Sequence, residues 1–257
     1  MTLRGKGAVV TGASRGIGAA AARALAAEGA RLLLVARTQG PLEELARALM
    51  EAGTEAHALA CDVTEASSVR TLADKARAAL GGADILVNNA GGSSSDPFSR
   101  VTLEEWNRMF AWNATSAFLC TQALLPGMLE RGWGRVVNIA SVAGLHGAPY
   151  IAPYAAAKHA LVGLTRSLAA EVAGKGVTVN AVCPGYVDTD MTGRNIARVA
   201  ERTARPEAEI RAAFERLGPQ GRFLRPEEVA GVVAFLCTGA AGAIHGQAVA
   251  LDGGRGN

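Results

Sequence analysis

The sequence predicts an α/β fold: one doubly wound parallel sheet of about seven strands with helices on both faces, in a single domain. Three observations carry that expectation. Short apolar runs alternate with helical patterns from one end to the other, which implies a parallel sheet covered on both faces. Right-handed crossovers then restrict such a chain to a doubly wound order. A glycine-rich turn joins the first strand to the first helix, and no linker or repeat divides the 257 residues.

The elements follow in order. Lys6 to Thr11 reads as a strand and Gly16 to Glu28 as an alanine-rich helix, alanine being the best helix former. Arg31 to Ala36 and Ala56 to Cys61 are apolar strands, separated by a helix over Pro41 to Ala52. A helix over Glu65 to Leu80 leads to a strand at Ala83 to Asn88. A long helical region runs from Leu103 to about Arg131, with Thr102 and Glu105 spaced as a capping box. Arg135 to Ala140 is a strand. The run through Leu161, Leu164, Leu168 and Val172 has helical spacing and carries Tyr154 near its start. Val177 to Val182 is a strand, Pro226 to Cys237 a helix with proline in its first turn, and Gln247 to Leu251 a last strand. Residues 186–225 interrupt the alternation with a polar, arginine-bearing stretch. We expect one or two helices there, standing above the sheet as a lid, because a long insertion at the C-terminal edge of a sheet is usually functional.

Composition narrows the function. Apolar residues make up 49% and aromatic ones 5%, so the core is expected to be aliphatic. A net charge of +3 is too small to point to nucleic acid or an anionic membrane. Cys61, Cys120, Cys183 and Cys237 lack metal-ligand spacing, and no histidine or carboxylate cluster looks like a metal site. No signal peptide and no apolar run of about 20 residues is apparent. A cytoplasmic setting is therefore expected.

The first turn reads Thr11-Gly12-Ala13-Ser14-Arg15-Gly16-Ile17-Gly18. Glycine permits a tight turn and close backbone approach, and the helix start that follows attracts phosphate. After the first strand of a doubly wound sheet, this turn predicts dinucleotide binding. The second strand ends Val35-Ala36-Arg37, with no acid to bond a ribose hydroxyl. Arg37, with Arg15 nearby in sequence, suits a 2′-phosphate through the planar guanidinium fork. NADP(H) is therefore expected over NAD(H).

Tyr154 and Lys158 stand four apart on a helix and so share a face. A free phenol titrates at about 10, and a neighbouring ammonium lowers that value. A tyrosine tuned in this way exchanges a proton with a substrate oxygen. Ser141 follows the strand ending at Ala140, at the edge where such sheets bind ligands. Asn113 sits inside a helical pattern, where asparagine is a poor choice, and suggests a local distortion.

In family order these elements are Thr11 to Gly18, Asp62-Val63, Asn88-Asn89-Ala90-Gly91, Asn113, Ser141, Tyr154 with Lys158, and Pro184-Gly185. Together they make the chain resemble the short-chain dehydrogenase/reductase family, with its Rossmann-type sheet, over essentially its whole length. The resemblance implies that residues 1–257 form one NAD(P)-binding domain. It implies that Asp62 accepts from the adenine amino group beside Val63, and that Asn89, Ala90 and Gly91 line the cofactor pocket. Pro184, Gly185 and Val187 would border the nicotinamide, with Thr189 near its carboxamide. Ser141 would bond the substrate oxygen, and Tyr154 would be the general acid in reduction and the general base in oxidation. Lys158 would hold the nicotinamide ribose, and Asn113 a water behind it. Hydride would leave the B face.

Substrate contacts are assigned to His146, Tyr150 and Tyr186 beside Ser141 and Tyr154, and a structural role to His159. The loop Gly92 to Asp96 is expected to be mobile. The chain looks most like 3-oxoacyl-[acyl-carrier-protein] reductases and ketoreductases. Arg131, Lys175 and the arginines at 194, 198, 202, 205 and 211 are therefore candidates for meeting an acidic carrier or a coenzyme A phosphate. Reduction of a 3-oxoacyl thioester competes with dehydrogenation of a free alcohol, sugar or 3-hydroxybutyrate, and with a cofactor-binding regulator that does not turn over. The apolar face of Val229, Val232, Val233, Phe235 and Leu236, with a last strand at the sheet edge, suggests association, and the resemblance implies a homotetramer.

Overall fold

A computed structural model describes residues 2–254 of the chain. Seven parallel strands form one sheet in the order β3-β2-β1-β4-β5-β6-β7. They are β1 Gly7–Thr11, β2 Arg31–Ala36, β3 Ala56–Ala60, β4 Ile85–Asn88, β5 Gly134–Ile139, β6 Val177–Pro184 and β7 Ala248–Leu251. The order reverses between β1 and β4, which places a switch point at the centre of the sheet. Every residue of β1, β4, β5 and β6 is buried, the pattern of parallel strands covered on both sides.

Alternate strand residues point to opposite faces. Val10, Leu32, Leu34 and Ile85 pack with the helices α1 Gly16–Ala27, α2 Gln39–Glu51 and α9 Pro226–Cys237. Val9, Leu33, Leu86 and Val179 pack with α3 Ala66–Leu80, α5 Ser116–Glu130 and α6 Ala152–Val172. On α9, Val229, Val233 and Leu236 turn inward, and only Phe235 of the expected apolar face is exposed. The four cysteines are buried free thiols. Among the described residues, no helix is long and apolar enough to cross a membrane.

Two local expectations change. The long helix after Leu103 is not continuous: α4 Leu103–Phe110 passes through a π-helical turn, Ala111–Thr115, before α5 begins. The capping box is half formed. Glu105 N donates to Thr102 Oγ1 at 3.2 Å, but the Glu105 carboxylate pairs with Arg108 instead of reaching back.

Segment 186–225 leaves the sheet and returns to its own starting point. Val187 bridges to Leu224, Asp188 N donates to Leu224 O at 2.8 Å, and Leu224 N donates to Tyr186 O at 2.9 Å. Between these ends stand α7 Asp190–Thr203 and α8 Glu207–Glu215. Ile196, Ala200, Ile210 and Phe223 give them a small apolar core of their own, apart from the sheet.

Candidate active site

Because all strands are parallel, their C-terminal ends open on one side, and six of the seven carry a predicted site residue there. These ends frame a cleft of about 260 Å³. Gly12, Ser14, Arg15, Gly16 and Ile17 line it after β1, Arg37 after β2, and Asp62 and Val63 after β3. Asn89, Ala90 and Gly91 line it after β4 and Ser141 after β5, with Tyr154 opposite. Pro184, Gly185, Val187 and Thr189 complete it after β6.

The glycine turn is held by the neighbouring strand. Thr11 Oγ1 accepts from Asn89 N at 3.0 Å and Ala90 N at 3.1 Å, and Asn89 Nδ2 donates to the carbonyls of Thr11 and Gly12 at 3.0 and 3.1 Å. Gly12 and Gly16 have φ of +64° and +54°, a conformation that favours glycine. Gly18 does not line the cleft. It is a packing residue: a Cβ there would run into the Gly12 carbonyl and lie 2.5 Å from Asn89 Nδ2. α1 starts at Gly16 with no side chain capping its free N–H groups. A turn cleared of side chains, uncapped donors and the bordering guanidinium of Arg15 together fit a diphosphate.

At the far end of the cleft Arg37 is exposed and forms no ion pair among the described residues. Asp62 is held below the usual carboxylate range, chiefly because Thr64 N donates to it at 3.0 Å, with further help from Thr64 Oγ1 at 2.7 Å and from the Arg37 charge. Trp112 also lines this end, a residue that sequence reasoning passed over. Only its place beside Asn113 hinted at it. Arg194 of α7 was likewise missed as a lining residue and assigned to partner binding instead.

The Ser141 side chain accepts from Ala143 N at 3.1 Å, which fixes it at the start of a short 3-10 turn, and donates to Pro184 O at 3.5 Å; its hydroxyl and the Tyr154 phenol line the same cleft. Burial pushes the Tyr154 phenol above its ordinary value, against the lowering influence of the Ser141 hydroxyl. This corrects the expectation that Lys158 pulls the phenol down. Lys158 is 5% exposed, its Nζ donates to Ile139 O at 2.7 Å, and burial lowers it to about 8. The ammonium lies 5.8 Å from the tyrosine ring centre, aimed at a backbone carbonyl. It stands behind the cleft wall.

Asn113 is buried there too. Its amide donates to Gly92 O at 2.9 Å and Met109 O at 3.0 Å, and accepts from Gly92 N at 3.2 Å. These bonds account for the π-helical turn, since Met109 O is shared with a side chain instead of only the helix ladder. Asn113 thus binds the loop after β4 to the helix, and a Cβ on Gly91 would lie 2.6 Å from its Oδ1.

The structure does not bring all the substrate candidates together. His146 and Tyr150 are exposed outside the cleft, and Tyr150 is in the left-handed region with φ of +67°. Tyr186 packs on Phe214 and Phe223 beside a separate recess of about 20 Å³. His159 bonds Ala155 O at 2.9 Å within its own helix.

The loop expected to be mobile is tied to α7. Ser93 exchanges bonds with Asn195 at 3.1 and 3.3 Å, and Arg202 pairs with Asp96 at 2.9 Å while donating to Ser95 O at 2.8 Å. The arginines assigned to a carrier are mostly engaged within the chain. Arg205 pairs with Glu209, Arg211 with Asp188 and Glu215, and Arg131 with Asp84. Among the described residues Arg194 and Arg198 form no ion pair.

Comparison with known proteins agrees with this geometry. The sequence model of the short chain dehydrogenase family matches residues 6–199. A protein of Streptomyces virginiae named as a ketoacyl reductase of the monensin polyketide synthase is 42% identical over 252 residues, covering 97% of each chain. The 3-oxoacyl-[acyl-carrier-protein] reductase FabG of Escherichia coli is 39% identical over 254 residues, covering 99% of this chain and 98% of its own. The crystal structure of a tryptophan variant of actinorhodin polyketide ketoreductase with NADPH superposes with a TM-score of 0.94 at 39% identity, over 98% of this chain and 97% of that one. A parallel sheet opening on a glycine turn, a serine and a tyrosine lining one cleft and this breadth of similarity establish that the chain belongs to the short chain dehydrogenase family.

Proposed function

We propose that the chain reduces the keto group of a 3-oxoacyl thioester to a 3-hydroxyacyl product, with NADPH as hydride donor. One observation carries the reading: Ser141 and Tyr154 line the same cleft as the glycine turn, so two hydroxyls face the space where a cofactor and a carbonyl would meet. Reduction needs a proton donor at the carbonyl oxygen, and a neutral phenol is one. The names of the relatives support the thioester substrate, and the NADPH of the ketoreductase structure supports the cofactor.

When bound, the nicotinamide supplies the hydride. The chain's own residues do the rest. Gly12, Gly16 and the start of α1 would hold the diphosphate, and Arg37 would hold the 2′-phosphate. Ser141 and Tyr154 converge on the carbonyl oxygen, where negative charge develops as the hydride arrives. Tyr154 gives its proton to that oxygen, so the carbonyl gains one hydride and one proton and becomes the alcohol. Lys158 holds its positive charge behind the tyrosine ring, with Asn113 fixing the backbone beside it. Segment 186–225 covers the cleft as a lid. We further propose a cytoplasmic setting and a homotetramer, the assembly alone being supported by the exposed apolar side chains of Phe98, Leu103, Phe118 and Phe235.

The test is a panel of carbonyl substrates followed by loss of NADPH absorbance: acetoacetyl-CoA, 3-oxoacyl carrier-protein esters, free 3-oxo acids, sugars and simple ketones. Thioesters are expected to dominate in kcat/KM. Dominance of free sugars or alcohols would overturn the thioester reading, and light scattering decides the assembly.

A further inference from the structure

The end of the cleft near Arg37 holds an aromatic residue that the catalytic reading does not use. Trp112 lies on the π-helical turn, one residue before Asn113. Its ring packs on Gly92, where a Cβ would lie 2.6 Å from Cε3, so the indole plane is fixed by backbone. Two guanidinium groups approach that ring. The Arg108 Cζ is 5.1 Å from its centre and the Arg37 Cζ is 5.6 Å from it. Their situations differ. Arg108 is paired with Glu105 and does not line the cleft. Arg37 lines the cleft with Trp112 and forms no ion pair among the described residues. Asp62 is near enough for the Arg37 charge to act on it, but both Thr64 donors converge on Asp62 Oδ1.

We propose that Trp112 is a positioning residue for cofactor specificity: its indole holds the Arg37 guanidinium over the cleft, ready for a phosphate monoester on the adenosine ribose. The inference rests on the NADPH reading above. An exposed arginine on a free chain has many rotamers and must be ordered before it makes the planar two-bond contact with phosphate. A ring face attracts the guanidinium electrostatically and limits that search. The ring needs no change of charge to do this and makes no demand on a cofactor lacking the phosphate.

The experiment is a comparison of kcat/KM with NADPH and with NADH. Trp112→Leu is expected to lower the NADPH-to-NADH ratio of kcat/KM by about two- to fivefold, the size of a partly exposed cation–π contact, any loss common to both cofactors cancelling in the ratio. Trp112→Phe retains a ring and is expected to recover most of the ratio. In an Arg37→Ala background, Trp112→Leu is expected to have no further effect on the ratio. Arg108→Ala is expected to leave it unchanged. An unchanged ratio in Trp112→Leu overturns the proposal, as does an equal fall in the Arg37→Ala background. If wild type shows no NADPH preference, the cofactor reading fails and this inference with it. A wild-type preference that survives Trp112→Leu sinks the inference alone. If Trp112→Leu does not fold, the fluorescence difference between wild type and Trp112→Phe isolates the Trp112 signal. It is expected to respond to adenosine 2′,5′-bisphosphate and less to adenosine 5′-monophosphate, and equal responses overturn the proposal.

Discussion

Lys158 Nζ donates to the Ile139 carbonyl oxygen at 2.7 Å, which anchors the ammonium of α6 on the end of β5 behind the cleft. The contact is buried, and burial lowers the lysine to about 8. A free lysine titrates at about 10.4. Between those values the unfolded chain binds more protons at this group than the folded one, so folding stability rises with pH there. Below about pH 8 the buried charge is a full burden on the fold. Lys158→Met lacks the titration. Its stability relative to wild type is expected to be greatest near neutrality and to decline steadily from about pH 8 to 10, read by urea unfolding at each pH. A constant difference over that range would show that the ammonium is not desolvated.

Tyr154→Phe removes the phenolic proton while keeping the ring. Loss of a positioned general acid is expected to lower kcat by about 10²–10⁴-fold, while NADPH binding, followed by fluorescence titration, stays within a few-fold of wild type. Turnover within tenfold of wild type would remove the tyrosine from the chemistry.

Gly18→Ala places a methyl group against the Gly12 carbonyl and Asn89. Overpacking of this kind costs about 1–3 kcal/mol. A lower melting temperature and weaker NADPH binding are expected together, because the displaced groups are those that shape the turn. A melting temperature equal to that of wild type would refute the close packing.

Arg202→Ala cuts the ion pair to Asp96 and the bond to Ser95 that join α7 to the loop after β4. Partly exposed pairs contribute about 0.2–1 kcal/mol, so melting is expected to change little. If the pair latches the lid, KM for a thioester substrate rises about two- to fivefold while kcat changes less. Unaltered KM would make the contact merely a surface pair.

Glu228 receives two bonds of 2.7 Å from Arg222 and one of 2.8 Å from Arg225 N, and these donors hold its carboxyl down to about 2. A carboxylate with a depressed value stabilises the fold above its free value of about 4.3 and loses that effect as pH falls toward 2. Glu228→Gln is expected to be less stable than wild type at pH 7. The difference should shrink below about pH 4, measured by denaturant midpoints. A pH-independent difference would mean that the charge does not contribute.

The sequence by itself determined the sheet, the glycine turn and the positions of Ser141, Tyr154 and Lys158. These depend on local signals: hydrophobic period, glycine at a left-handed turn, and four-residue spacing on a helix. Parallel strands then bring the ends of β1 to β6 to one side without further instruction, so the cleft was legible too. The tertiary structure alone decided which charges were already paired and which side chains were buried. Arg202 meets Asp96 and Arg131 meets Asp84 only because distant segments converge, so spacing could not show that these arginines are engaged. The same holds for Asn113, whose amide meets Gly92 across a turn and bends its helix into a π form. Desolvation depends on what surrounds a group in space, and for that reason the fold raises the Tyr154 phenol although the neighbouring lysine in sequence suggested the reverse.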